Sequence, residues 1–129
     1  MFRYHRLPAV LAVLLLGLPW GVQAEEKSGQ MVYDQTCIVC HHAGRLGAPK
    51  LADGKRWRHL VAEGLDDLVP AALGGLRQMP ARGGNPNLSD GEVARAVVWM
   101  VNQHGAQAAE PDEAAIKRWR AMADRQKKR

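Results

Sequence analysis

Large flat side chains are scarce in this sequence. Its 129 residues include one Phe, two Tyr and four Trp. Beyond residue 24 there is no Phe, and the aromatic residues that remain are Tyr33, Trp57, Trp99 and Trp119. A small domain usually builds much of its core from such side chains. A buried flat cofactor would supply the apolar area that these side chains do not provide.

Cysteine is equally rare, because the chain has only Cys37 and Cys40 and therefore no framework of several disulfides. Both belong to the run Cys37-Ile38-Val39-Cys40-His41, whose C-x-x-C-H spacing is the pattern for covalent attachment of a c-type haem. Each thiol can add to a haem vinyl group, and the adjacent imidazole can then reach the iron. We expect one haem c, with thioether bonds to both cysteines and His41 as an axial ligand.

Two other chemistries use closely spaced cysteines. A structural zinc site needs four ligands, and no second cluster accompanies Cys37, Cys40 and His41. A thioredoxin-like disulfide lies in a βαβ pattern, and none surrounds this motif. Haem attachment is the stronger interpretation.

No apolar run is long enough to span a bilayer. The longest, residues 7–18, falls short of the ~20 residues that a spanning helix needs. It follows a basic start and precedes the small-residue site Val22-Gln23-Ala24, which is the layout of a secretory signal peptide. We interpret residues 1–24 as this signal and expect a periplasmic protein, or a membrane-anchored one if the signal is not cleaved. Residues 25–105 then form one domain, and residues 106–129 a linker and a basic amphipathic helix.

No strand alternation appears, and the apolar spacing is helical throughout, which predicts an all-α fold. We expect about four core helices around the haem and an extra C-terminal helix. Ser28 suits the N-cap of the first helix, and Ser89 with Glu92 forms a capping-box sequence that opens the strongest one. We expect Pro70 in the first turn of a helix over about residues 69–73, because an interior proline breaks a helix.

The second axial position on the haem iron calls for a Met or a His. Met79 stands in a turn-rich loop, where no helix constrains its side chain. Met100 falls on the apolar face of a predicted helix, so core packing explains it, while Met31 is too close to Cys37 and Met122 lies in the tail. We therefore predict Met79 as the ligand.

Histidine could also complete the site. His42 neighbours the first axial ligand and cannot reach the other haem face, and we expect His59 and His104 on solvent-facing helix surfaces. A bis-His site is thus the weaker alternative. The second ring nitrogen of His41 should donate to a fixed acceptor, and the loop that ends at Pro49 can supply a backbone carbonyl.

These motifs resemble those of the small class I cytochromes c, in particular the bacterial cytochrome c5 group. The resemblance covers about residues 29–103. The residues that carry it are Tyr33, the motif at 37–41, Gly47-Ala48-Pro49-Lys50, Trp57, Met79-Pro80-Ala81-Arg82-Gly83-Gly84-Asn85-Pro86 and Leu88-Ser89-Asp90-Gly91-Glu92-Val93. The chain lacks the second cysteine pair of some c5 proteins, and its tail after residue 106 extends beyond the pattern.

The resemblance implies haem attachment at Cys37 and Cys40, with His41 and Met79 on the iron. It also implies that Gly29 and Tyr33 on the first helix cross the last core helix near Trp99. We further place Tyr33, Pro49 and Trp57 in the haem pocket, where Trp57 either touches a propionate or fills the core.

A haem iron that holds both His and Met has no open position, which favours outer-sphere electron transfer over substrate binding. We expect a one-electron carrier of relatively high potential rather than an enzyme. Its partners would be a donor reductase and a terminal acceptor or oxidase, with no nucleic acid. The alternative is a haem sensor or a peroxidase-like protein in which the Met ligand dissociates.

Charge is concentrated at the C-terminus. Acidic and basic residues balance over residues 25–109, whereas the tail from residue 110 has an excess of Lys and Arg. The tail has two interpretations. It is a docking arm that binds an acidic partner or an anionic membrane surface, or it is a solvated helix. For its apolar stripe, Ile116-Trp119-Met122, we favour packing back onto the domain.

Overall fold

The computed structural model describes residues 24–128, together with Met1 and Gly21. Nearly all of the predicted signal peptide, residues 1–24, lies outside the described residues. Within residues 24–128 the chain is helical, and its one extended pairing is an isolated bridge between Leu76 and Met79. No helix in this part of the chain is long and apolar enough to cross a membrane. The all-α prediction is confirmed.

Helices follow one another along the described chain with short connections. In order they are α1 (Gly29–Val32), a π-helical segment (Tyr33–Cys37), α2 (Ile38–His41), a 3-10 turn (Arg45–Gly47), α3 (Gly54–Glu63), α4 (Leu65–Gly74), a second 3-10 turn (Ala81–Gly84), α5 (Asp90–Asn102) and α6 (Glu113–Lys127). The first three are contiguous, so this part of the chain has four core helices and one more at its end.

Both predicted helix caps form. The Ser28 hydroxyl accepts a hydrogen bond from the Met31 N–H over 3.2 Å at the start of α1. At the start of α5 the Ser89 hydroxyl accepts from the Glu92 N–H, and the Glu92 carboxylate accepts from the Ser89 N–H, each over 3.0 Å. This reciprocal pair satisfies two backbone donors that a helix N-terminus leaves free.

The first helix crosses α5 at Gly29. A Cβ atom at this position would overlap the backbone carbonyl of Arg95 and lie 2.9 Å from Cβ of Trp99, so glycine lets the two backbones approach closely. One turn later Tyr33 packs on Trp99 with ring centroids 4.9 Å apart. This is the crossing that the resemblance implied, and it sets the direction in which the motif helix enters the core.

The helix before the haem motif is not a regular α-helix throughout. The sequence predicts one helix from Ser28 into the motif, whereas the structure widens it into a π-helical segment. The N–H of Ile38, the residue after this segment, donates to the Tyr33 carbonyl five residues earlier. Such widened turns are frequent at functional sites. This one ends at the first motif cysteine, and no local residue pattern signals it.

The prediction for Pro70 is wrong. The helix begins at Leu65 rather than near residue 69, so Pro70 lies in the interior of α4. Proline there removes the hydrogen bond to the Asp66 carbonyl. The position is tolerated because Pro70 is fully buried beside Val69 and Leu73, and the burial of its ring offsets the lost bond.

The C-terminal helix α6 packs onto the domain. Trp119 and Ala123 are buried with residues of α4 and α5 in one apolar cluster. The indole N–H of Trp119 donates to the Asp66 carboxylate on α4 over 2.6 Å, and Gly74 faces Ala123 at the other end of the contact. This is the packing alternative that the sequence favoured for the stripe.

Candidate cofactor site

One cleft gathers the residues that the sequence assigned to the cofactor. Its wall is mostly apolar and contains Cys37, Cys40, His41, Pro49 and Met79. The fold therefore brings the motif and the distant loop methionine to the same cleft.

His41 is held in one orientation. Its side chain is buried, and Nδ1 lies 2.9 Å from the carbonyl oxygen of Pro49. Because a carbonyl only accepts, Nδ1 must carry the proton, and Nε2 of the neutral ring keeps its lone pair. Burial lowers the pKa of His41 below its usual value. The ring is thus neutral at pH 7, as a metal-ligating imidazole must be.

The two cysteines are not paired in a disulfide, and both lie in the cleft wall. Burial raises the pKa of the Cys37 thiol to about 11. A reactive thiol–disulfide pair needs a lowered thiol pKa, so the environment of Cys37 does not favour the thioredoxin-like alternative. Within the described residues, no group of three or more His, Cys, Asp or Glu side chains could hold a bare metal ion.

The loop after the motif is fixed by three aromatic rings. The consecutive carbonyls of residues 49–51 each accept a ring N–H over 2.9 Å, from His41, Trp57 and His104 in that order. These donors come from α2, α3 and the turn that follows α5. The segment that supplies the acceptor for the His41 ring is therefore held by α3 and by that turn.

The expectation that His104 faces solvent is wrong. Its ring stacks on Trp57 with centroids 5.4 Å apart and planes 3° apart, besides donating to the Leu51 carbonyl. No local pattern could reveal this role, because its partners lie about fifty residues away in sequence. His42 and His59 are exposed, and neither is among the residues that line the cleft.

The aromatic residues assigned to the pocket have different positions. Trp57 is buried in the cleft wall, and its single N–H is taken by the Lys50 carbonyl. Its indole therefore fills the wall and has no donor left for a propionate. Tyr33 does not line the cleft, because it lies on the side of its helix that packs against Trp99 on α5.

Met79 sits in a tight turn. Its backbone exchanges two hydrogen bonds with Leu76, over 2.9 and 3.0 Å. Arg77, inside the turn, has a φ of 53°, and Gly75 before it has a φ of 87°. A Cβ on Gly75 would come within 3.0 Å of the Met79 carbonyl oxygen, so glycine is needed to close this turn. The Met79 side chain is half-buried at the cleft.

The Met79 loop also docks on the motif helix. Gly83 approaches Thr36 so closely that a Cβ there would lie 3.2 Å from the Thr36 Cγ2 atom. The Asn85 amide donates to the Thr36 hydroxyl over 3.4 Å. Since Thr36 directly precedes Cys37, these contacts hold the Met79 loop against the helix that carries the C-x-x-C-H motif.

The other methionines differ in position. Met31 is exposed, and Met122 is half-buried against the core between α6 and the domain. Met100 is buried on α5 and also lines the cleft. Within the described cleft the thioether donors are therefore Met79, on a loop, and Met100, on a packed helix.

The donor set fits a c-type haem. Two thiols and an oriented neutral imidazole lie in one apolar cleft with a loop thioether. Cytochromes c attach the haem through two such thiols and bind its iron through the imidazole and the thioether. A cleft with an apolar wall and a few directed polar atoms is also typical of cofactor sites.

Comparison with known proteins agrees with this fit. The family model described as cytochrome c oxidase, cbb3-type, subunit III matches residues 24–100. Cytochrome c-555 of Chlorobaculum thiosulfatiphilum is 40% identical over 80 residues, covering 59% of this chain and 93% of its own. Cytochrome c5 of Azotobacter vinelandii is 38% identical over 73 residues, covering 55% of this chain and 88% of its own.

A solved structure matches as well. The cytochrome c from a crystal structure of an electron-transfer complex with nitrite reductase is 33% identical, with a TM-score of 0.57. The match covers 62% of this chain and 99% of that one. The family model ends at residue 100, so it does not include α6.

Proposed function

The chain belongs to the class I monohaem c-type cytochromes, the family of cytochromes c5 and c-555, and we propose that it carries single electrons between redox proteins of the periplasm. Its cofactor is covalently attached haem c, which supplies a one-electron iron couple. The observation that carries the proposal is the cleft that unites Cys37, Cys40 and His41 with Met79.

In this proposal His41 and Met79 are the axial ligands. The Pro49 carbonyl keeps the His41 ring neutral and directed, and the tight turn at Leu76 and Met79 presents the thioether. Met100 is held on a buried helix instead, and its contacts with Tyr33 and Trp57 are those of a core side chain. Two bound ligands leave no position for a substrate, which suits a carrier rather than an enzyme.

The apolar wall of the cleft affects the reduction potential of the haem iron. Burial disfavours the extra positive charge of the oxidised iron, and a thioether ligand acts in the same direction. Both effects favour a relatively high potential. The sheltered wall also keeps water away from the site while leaving its mouth accessible.

Redox partners would dock at this mouth. Leu46 and Leu76 line it and are 63% and 55% exposed, and Arg45 and Arg77 stand beside them, also exposed. An apolar centre with a basic rim suits a partner that presents apolar residues surrounded by carboxylates. The solved neighbour comes from an electron-transfer complex with a nitrite reductase, which supports a redox protein as the partner.

Only part of the C-terminal tail is available as a docking arm. Its apolar stripe is used inside the fold, and Arg118 and Arg120 pair with Asp66 and Asp90. The exposed cations on its outer side remain as a steering charge for an acidic partner or an anionic membrane surface. Export to the periplasm rests on the signal-peptide pattern of residues 1–24.

The ligand assignment is tested by two matched substitutions in the holoprotein, Met79→Leu and Met100→Leu. We expect the oxidised parent and Met100→Leu to show the weak far-red band of Met–iron(III) coordination, and their reduced forms to exclude carbon monoxide. Met79→Leu should lose the band and bind carbon monoxide. Loss of the band in Met100→Leu but not in Met79→Leu would show that Met100, and not Met79, is the axial ligand. Carbon monoxide binding by the parent would instead support the sensor or peroxidase-like alternative.

A further inference from the structure

The C-terminal helix reaches the base of the Met79 loop through one side chain. Arg120 of α6 makes a two-pronged contact with the Asp90 carboxylate: Nε lies 2.8 Å from Oδ2, and a terminal nitrogen 2.7 Å from Oδ1. A planar fork of this kind fixes both the position and the rotation of a carboxylate. Asp90 is the first residue of α5, directly after the loop.

The same carboxylate holds the loop. Oδ1 of Asp90 also accepts from a terminal nitrogen of Arg82 over 2.8 Å, and the other terminal nitrogen of Arg82 donates to the Leu88 carbonyl. Arg82, Asp90 and Arg120 are 27%, 24% and 28% exposed. Charges sheltered to this degree are screened less by salt than those of a fully exposed pair.

Arg82 occupies a backbone conformation that needs support. Its φ is 56°, in the left-handed region, and Gly83 continues that region with a φ of 62°. Such a conformation is unfavourable for a residue with a Cβ and persists where its surroundings hold it. Arg82 lies three residues after Met79, and the turn it makes sets Gly83 against Thr36 of the motif helix.

We propose that Arg120 is a positioning residue for the Met79 ligand, acting through Asp90 and Arg82. Its fork orients the carboxylate, the carboxylate anchors the Arg82 side chain, and that anchor maintains the left-handed turn that keeps the Met79 loop against the motif helix. The inference rests on the proposed ligation by Met79. It gives α6, which lies beyond the matched family domain, a role in keeping the thioether on the iron.

The other charged neighbours of this network do not replace Arg120. Asp124, one turn later on α6, accepts from a terminal nitrogen of Arg120 over 3.2 Å and so adds negative charge rather than a second anchor. Within the described residues Oδ2 of Asp90 has its hydrogen bond from Arg120 alone. Removing that donor frees the carboxylate to rotate towards solvent, away from Arg82.

The test uses the oxidised holoprotein and added imidazole, which must displace Met79 to bind. Arg120→Gln is compared with Arg118→Gln, a matched change on the same helix whose Asp66 partner lies on α4, away from the loop. We expect Arg120→Gln to raise the apparent imidazole affinity about three- to tenfold, as expected for loss of one sheltered charge pair. Arg118→Gln should leave the affinity as in the parent, and Arg120→Lys, which keeps the charge without the fork, should lie between.

A double-substitution cycle examines the route. If Arg120 acts through Asp90 on Arg82, then Arg82→Gln and Arg120→Gln together should raise the affinity by less than the product of their single effects. Multiplicative effects would overturn the route, and an imidazole affinity in Arg120→Gln equal to that of Arg118→Gln would overturn the proposal. If Arg120→Gln does not fold, an imidazole affinity in Arg120→Lys equal to that of the parent would overturn the proposal.

The spectra separate this inference from the ligand assignment. A parent protein without the far-red band would overturn ligation by Met79, and the positioning role with it. A parent with the band, and an Arg120→Gln variant with unchanged imidazole affinity, would overturn the positioning role alone. A lower melting temperature shared by the Arg118 and Arg120 variants would not count in its favour, because both ion pairs tie α6 to the domain.

Discussion

The carbonyl oxygen of Pro49 accepts the Nδ1–H of His41 over 2.9 Å. This contact decides which nitrogen of the ring is free, and it therefore links a backbone turn to the chemistry of the cofactor site. The turn is itself held by the ring N–H groups of Trp57 and His104, bonded to the two carbonyls that follow Pro49.

The His104 contact can be removed without removing its ring. His104→Phe retains an aromatic ring to stack on Trp57 and deletes the donor to the Leu51 carbonyl. We expect the free energy of unfolding to fall by about 1 kcal/mol, the usual net value of one such bond. Urea denaturation measures it, with the exposed His59→Phe as control. Equal stability of the two variants would mean that the Leu51 bond contributes nothing.

The crossing of α1 and α5 gives a sharper steric prediction. Gly29→Ala places a methyl group on the Arg95 backbone carbonyl, which cannot rotate away. We expect a loss of about 1–3 kcal/mol, typical of overpacking.

Gly54→Ala is the control for that substitution. At Gly54 the nearest atom to an added Cβ is a terminal nitrogen of the flexible Arg58 side chain, 3.8 Å away, and alanine should stabilise the chain by about 0.4–1 kcal/mol. Thermal melts of the two variants should therefore shift in opposite directions. A Gly29→Ala protein as stable as the parent would contradict the close crossing.

Two carboxylates make stability depend on acid pH. The hydrogen bond from Trp119 lowers the pKa of Asp66, and that from Arg120 lowers the pKa of Asp90. A carboxyl with a lowered pKa in the folded state stabilises the fold above its unfolded value of about 3.9 and loses this contribution as pH falls through the folded value. The contribution of these two carboxyls to the unfolding free energy should thus be level above about pH 5 and decline below it.

The contribution of Asp90 can be isolated by substitution. In Asp90→Asn the decline in unfolding free energy below about pH 4 should be shallower than in the parent, because the asparagine does not titrate. Asp67→Asn, an exposed site on α4, is the control and should keep the parental slope. The same slope in all three proteins would show that the Arg120 contact does not hold the Asp90 carboxyl ionised.

Rim charges should govern the approach of a partner. With a nitrite reductase as probe, Arg45→Gln together with Arg77→Gln should lower the association rate several-fold at low salt and little at high salt. The matched change on α6, Lys117→Gln with Arg125→Gln, removes the same charge from the tail. A larger effect of the tail pair would move the docking face from the cleft mouth to α6, and no effect of either would remove electrostatic steering.

The parts of the fold that sequence could anticipate depend on local rules. Ser28, Ser89 and Glu92 cap helices through neighbours within three residues, and the C-x-x-C-H run is a local pattern. Gly29 and the Met79 loop could be anticipated through the family resemblance. The same sources led to His41 and Met79 as ligands, and that assignment stays a prediction.

The remaining features depend on contacts between distant segments. An interior Pro70 is acceptable only because the core surrounds it, and the stacking of His104 needs a partner nearly fifty residues earlier. The shared carboxylate of Asp90 joins Arg82 to Arg120 on a helix beyond the family match. The spacing of residues along the sequence does not predict such contacts between distant segments.

Electron transfer by this protein depends on the covalent attachment of one haem to Cys37 and Cys40. Its most direct test is the intact mass of the protein after expression with a working c-type maturation system and denaturation, which strips any haem that is not covalently bound. We expect the mass of the polypeptide plus one haem, and loss of that addition in a Cys37→Ala and Cys40→Ala double variant. A mass equal to the polypeptide alone would contradict it.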